Sequence, residues 1–102
     1  MKNYRIAVIG LGGMGGAHAL AAQLEENCTL VGGADIDADH RKRWQEQFGV
    51  DDVFNDYELM LDRLNPDIVI ISTQAPMHCK PTVATADRGI HVFCEKPIAV
   101  SL

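Results

Sequence analysis

The chain has 102 residues, room for one domain with one core and not for a second full domain. Its composition, 47% hydrophobic and 23% charged, is that of an ordinary globular protein. Nine basic against fourteen acidic residues leave a net charge of −5. That argues against nucleic acid or an anionic membrane as the main partner, and the local cluster Arg41-Lys42-Arg43 does not reverse it.

The three cysteines, Cys28, Cys79 and Cys94, are odd in number and have no C-x-x-C spacing, so we expect reduced thiols, no metal centre and a cytoplasmic location. No apolar stretch reaches the length of a secretory signal core with its cleavage site, or of a membrane span.

In chain order the pattern alternates strand and helix. Arg5 to Ile9 is a short β-rich run stopped by Gly10. Met14 to Glu26 is alanine-rich with helical spacing. Thr29 to Val31, continued by Gly32-Gly33-Ala34, is a second strand ending at Asp35. Asp39 to Phe48 reads as a helix with Trp44 and Phe48 on one face and Gly49 as its stop. Val53-Phe54 is a brief third strand, after which Asn55-x-x-Glu58 reads as a capping box opening a helix through Leu64.

Asp67 to Ile71 is the strongest strand, apolar on both faces as a central parallel strand must be. Met77 to Arg88 is a helix closed by Gly89, and His91 to Cys94 is a fifth strand. The alternation predicts an α/β fold: a doubly wound parallel sheet with right-handed crossovers.

Gly10-Leu11-Gly12-Gly13-Met14-Gly15 fits G-x-G-x-x-G and sits between a strand and a helix, the context that gives the pattern meaning. Gly10 permits the tight turn, Gly12 lets phosphates approach the backbone, and Gly15 lets the helix pack close to the strand. The N–H groups and positive end of that helix then face a pyrophosphate. Asp35 stands twenty residues after Gly15, at the end of the second strand, where its carboxylate can accept from the adenosine ribose hydroxyls and repel a 2′-phosphate. The expected cofactor is therefore NAD. NADP stays open, because Arg41 is close enough in sequence to neutralise a phosphate. Asp37 either shares the ribose role or caps the next helix. Flavin and S-adenosylmethionine sites share parts of this loop, and glycines also serve turns alone.

Ligands of open α/β sheets lie outside the carboxyl ends of the strands. There the fourth strand is followed by Ser72-Thr73-Gln74-Ala75-Pro76-Met77-His78, and the fifth by Glu95-Lys96-Pro97. The succession G-L-G-G-M-G, A-D-I-D, I-S-T-x-x-P-x-H and H-V-F-C-E-K-P, running from Arg5 to Val100, resembles the glucose–fructose oxidoreductase / inositol dehydrogenase (Gfo/Idh/MocA) family.

The resemblance implies an N-terminal Rossmann domain that binds NAD or NADP. It implies hydride transfer between nicotinamide and a carbinol of a sugar, cyclitol or similar polyol. The lysine matching Lys96 helps polarise or orient the reacting oxygen, and the glutamate matching Glu95 lies near the cofactor. Taken together, the candidate cofactor contacts are Gly10, Leu11, Gly12, Gly13, Met14, Gly15, Asp35, Ile36, Ser72, Thr73, His78, Glu95 and Lys96, with Lys96 also catalytic. A lysine beside a nicotinamide cation suits proton transfer. Apart from the resemblance, Lys96 reads as a surface lysine paired with Glu95. His78 either approaches the nicotinamide or satisfies a helix N-terminus, and His18 is expected to pack; His40 and His91 carry no assignment.

The chain departs from the family in Thr73-Gln74-Ala75, where T-P-N is usual, and in Ile90, where a lysine usually precedes the strand. Neither touches Lys96. Family chains are considerably longer, with a C-terminal α/β domain that supplies the substrate pocket, a second acid/base and the main oligomer interface. The expectation is thus the N-terminal cofactor domain, 1–102, of a two-domain homo-oligomeric enzyme, with the last helix and strand of the Rossmann domain missing. The other reading is a stand-alone nucleotide-binding or redox-sensing module.

Overall fold

A computed structural model describes residues 3–12, 14–72 and 79–94. The order is β1 (Tyr4–Ile9), α1 (Met14–Leu24), β2 (Cys28–Ala34), α2 (Ala38–Phe48), β3 (Val53–Phe54), α3 (Tyr57–Leu64), β4 (Ile68–Ile71), α4 (Cys79–Asp87) and β5 (His91–Cys94). The strands form one parallel sheet in the order β3-β2-β1-β4-β5. The strand order reverses beside β1, so the crevice between the carboxyl ends of β1 and β4 is the topological switch point.

Every second residue of β1 faces the same side of the sheet. Ile6 and Val8 join Leu11, Ala19, Ala22, Leu30, Trp44, Phe48 and Ile70 in one buried cluster. Ala7 and Ile9 join Ala34, Met60, Leu61, Val69, Ile71 and Ile90 in the other. Apolar residues at consecutive positions of β1 and β4 are therefore required, since both faces are covered. The Trp44 and Phe48 rings pack 5.5 Å apart on the buried face of α2.

The sequence reading is off at helix ends: α1 stops at Leu24 rather than Glu26, and the cap of α3 falls one residue later. Asp56, not Asn55, caps α3: its backbone is extended and its carboxylate accepts from the Glu58 N–H at 2.9 Å. The same helix ends on Asn65 at φ 43, so a left-handed asparagine closes it before Pro66. The other predicted stops hold, with Gly49 at φ 66 and Gly89 at φ 71.

β2 carries an irregularity. Ile6 pairs with Leu30 but Ala7 pairs with Gly32, which leaves Val31 as an extra residue. Beyond it come Gly32 and Gly33. A Cβ on Gly32 would strike Leu64 Cδ1 and, at 2.6 Å, the Asp52 carbonyl oxygen. A Cβ on Gly33 would come within 2.8 Å of Leu11 Cδ2 and 3.1 Å of Trp44 Cη2. The two glycines let both layers close onto the strand that carries Asp35.

Candidate cofactor site

The carboxyl ends of β1, β2 and β4 are laced together. Gly10 N–H donates to the Ala34 carbonyl at 2.8 Å, and Ser72 N–H to the Ile9 carbonyl at 2.8 Å. Gly10 has φ 94, a conformation that favours glycine, and it turns the chain sharply out of β1. α1 starts at Met14 and has no acidic residue in its first turn to repel an anion.

Asp35 sits just past β2 and is held from three sides. Its Oδ2 accepts from the Leu11 N–H at 2.8 Å and lies 3.1 Å from His40 Nδ1, and its Oδ1 accepts from the Asp37 N–H at 2.8 Å. A carboxylate has about four acceptor positions, so one on Oδ1 stays open. Because a carboxylate only accepts, the His40 contact is a hydrogen bond when Nδ1 carries the proton. Leu11 contributes its backbone to Asp35, while its side chain is buried in the core. The Ile36 side chain is 81% exposed beside Asp35, an apolar surface at the edge of the site.

Asp37 and Arg41 each have a structural partner at this corner. Asp37 is the N-cap of α2, accepting from Asp39 N–H at 2.8 Å and His40 N–H at 3.1 Å. The bond from the His40 N–H is the main reason its carboxyl is held below the usual value of 3.8. Arg41 Nη1 donates to the Asp35 carbonyl at 2.8 Å, so its guanidinium braces the end of β2.

His40 is the residue that sequence reasoning missed. A Cβ on Gly12 would lie 2.9 Å from His40 Cε1 and 3.1 Å from Nδ1, so the imidazole lies against Gly12. The signal was available in the spacing: a cap at Asp37 puts His40 in the first turn of α2, three residues on, where it folds back toward Asp35.

The Ser72 hydroxyl oxygen is buried and has no hydrogen-bond partner among the described residues. It stands at the end of β4, across the switch point from the glycine turn. Gly13, Thr73, His78, Glu95 and Lys96 lie outside the described residues, as do the side chains of Met14 to His18. Among the described residues no group of histidine, cysteine and acidic side chains could hold a metal, and no helix is long and apolar enough to cross a membrane.

The residues present fit a dinucleotide. An open acceptor on Asp35 suits a ribose hydroxyl, exposed Ile36 suits the flat face of a base, and the glycine turn with an acid-free helix start suits a pyrophosphate. The orphaned Ser72 hydroxyl can bond a group entering the switch point. Fold and site together define a dinucleotide-binding Rossmann domain.

Comparison with known proteins narrows the class. Residues 4–102 match the oxidoreductase family with an NAD-binding Rossmann fold, Gfo/Idh/MocA, and the chain belongs to that family. It is 32% identical over 98 residues to myo-inositol 2-dehydrogenase of Thermotoga maritima, covering 96% of this chain and 29% of that protein. It is 31% identical over 101 residues to 2,7-anhydro-N-acetylneuraminate hydratase of Mediterraneibacter gnavus, covering 99% of this chain and 26% of that protein. Among solved structures, scyllo-inositol dehydrogenase of Lactobacillus casei with bound NAD(H) and scyllo-inositol matches with a TM-score of 0.86 at 27% identity, over 98% of this chain and 30% of that one. The chain thus spans less than a third of the length of these relatives.

Proposed function

We propose that this chain is the cofactor domain of an NAD-dependent oxidoreductase acting on a carbinol of a sugar, cyclitol or related polyol. The observation that carries the cofactor half is Asp35, fixed by Leu11 and His40 with an acceptor still open at the carboxyl end of β2. Its charge disfavours a 2′-phosphate. Arg41, the nearby guanidinium, is engaged with the Asp35 carbonyl, which supports NAD over NADP. The relatives named as inositol dehydrogenases support the substrate class.

In this reading the glycine turn and the start of α1 hold the pyrophosphate, Asp35 the adenosine ribose, and Ile36 the adenine face. Ser72 and Thr73, with His78 and Glu95, line the nicotinamide half. NAD, when bound, supplies the hydride acceptor. Lys96, by its match to the family's lysine, would help take the proton of the carbinol oxygen, together with an acid/base from a second domain. The intact enzyme is a two-domain homo-oligomer of the cytoplasm, and the second domain supplies the substrate pocket.

The test is to incubate the intact protein with NAD and a panel of cyclitols and sugars. NADH should accumulate with at least one polyol, in proportion to ketone formed. Consumption of a substrate without net NADH would favour a reaction like that named for the hydratase relative. Binding of NAD with no turnover of any polyol would favour the stand-alone module.

A further inference from the structure

We propose that His40 is a positioning residue of the adenosine-ribose pocket and sets how strongly this protein prefers NAD to NADP. The proposal rests on the cofactor reading above and adds to it a residue that the glycine-and-acid pattern does not contain. Three observations converge. His40 Nδ1 lies 3.1 Å from Asp35 Oδ2, while the Asp35 side chain is only 11% exposed. The ring fills the space that a side chain on Gly12 would need. Its backbone is anchored by the Asp37 cap, which binds the His40 N–H at 3.1 Å.

The consequence follows from acceptor arithmetic. With the Leu11 N–H and His40 Nδ1 both on Oδ2, and the Asp37 N–H on Oδ1, the carboxylate cannot rotate, and its open acceptor points one way. A fixed acceptor discriminates between a hydroxyl, which donates to it, and a phosphate, which it repels. Released from His40, the Asp35 carboxylate keeps only its two backbone bonds and holds its orientation less firmly. Ribose binding then weakens, and a 2′-phosphate is tolerated better. The other charged groups at this corner do not replace His40: Asp37 is engaged in the cap, and Arg41 donates to the Asp35 carbonyl rather than to its carboxylate.

NADH and NADPH are titrated calorimetrically into the intact protein, wild type and with His40→Ala and His40→Asn. The asparagine amide nitrogen, like Nδ1, is attached to Cγ, so it can restore the donor without the ring. His40→Ala should raise the NADH Kd about five- to tenfold, the loss expected for one ordinary net hydrogen bond, and should narrow the NADPH-to-NADH ratio of Kd values. His40→Asn should bring both back to within about twofold of wild type. Unchanged affinities in His40→Ala, an unchanged ratio, or an asparagine variant no better than alanine would each overturn the proposal while leaving the cofactor reading intact. Tighter binding by His40→Ala would make the ring an obstruction over Gly12 and would overturn it equally. If the wild type binds neither nucleotide, the cofactor reading fails and takes this proposal with it.

Discussion

Asp35 and Asp67 stand at opposite ends of the same parallel sheet, and each accepts a 2.8 Å hydrogen bond from a backbone N–H of β1 or the loop that follows it. Their surroundings differ. At the amino end, Asp67 Oδ2 holds the Arg5 N–H, the Asp67 N–H returns to the Arg5 carbonyl at 2.9 Å, and Arg5 Nη1 donates to the Asn65 carbonyl at 3.0 Å. These bonds join the starts of β1 and β4. At the carboxyl end, Asp35 keeps an acceptor open, Ser72 Oγ has no partner among the described residues, and Gly10 holds a turn at positive φ. Volume alone would mislead, because a depression of about 410 Å³ lies at the amino end, lined by Tyr4, Asn65, Asp67 and His91. What distinguishes the carboxyl end is a buried hydroxyl without a partner among the described residues, set beside a glycine turn at positive φ.

If the two ends divide function from stability in this way, substitutions should separate cleanly. The largest effect belongs to Lys96→Ala, two residues past β5 in the sequence. Turnover of the intact enzyme should fall by about 10²–10⁴-fold, the range for a lost general acid or base, with NADH affinity nearly unchanged. Parallel loss of affinity and rate would deny Lys96 a catalytic role. Asp67→Ala should do the reverse, costing about 1–3 kcal/mol in urea unfolding, because it strands the Arg5 N–H, and leaving the NADH Kd alone.

The glycines sharpen the contrast. A Cβ at Gly32 meets backbone at the Asp52 carbonyl, so Gly32→Ala should destabilise by about 1–3 kcal/mol. The atoms nearest to a Cβ at Gly12 belong to the end of the His40 side chain, which can move. Gly12→Ala should therefore melt close to wild type yet bind NADH more weakly. Equal melting losses in the two variants would erase the distinction.

The smallest effect is on acid stability. Asp37 has a folded-state value below its ordinary 3.8, so its contribution is present above that value and lost as pH falls through the depressed one. Asp37→Asn keeps an N-cap acceptor without a titrating group. Thermal melts of this variant should decline less steeply below the ordinary carboxylate value than those of wild type.

Much of this was legible in the chain itself. The strands β1, β2 and β4 announced themselves as apolar runs, because a sheet covered on both faces leaves no polar alternation to read. The glycine loop and Asp35 were legible because their spacing is set by one strand–helix–strand unit. The cap of α3 was misplaced by one residue, since Asn55 and Asp56 are both good caps and only backbone geometry chooses between them. The extra residue at Val31 was hidden for a related reason, as strand register depends on what packs over Gly32 and Gly33. His40 escaped because its role arises from a helix turn folding back over a loop that precedes it by 28 residues, from Gly12 to His40, a contact that no local pattern encodes.

The central claim is that the carboxyl end of this sheet binds NAD through the glycine turn and Asp35. Calorimetric titration of NADH into the intact protein and into its Asp35→Ala variant tests it most directly. The account predicts saturable one-to-one binding by the wild type and at least about tenfold weaker binding by the variant, the loss expected when a charged acceptor is removed. No binding by the wild type, or equal affinity in the two proteins, would contradict it.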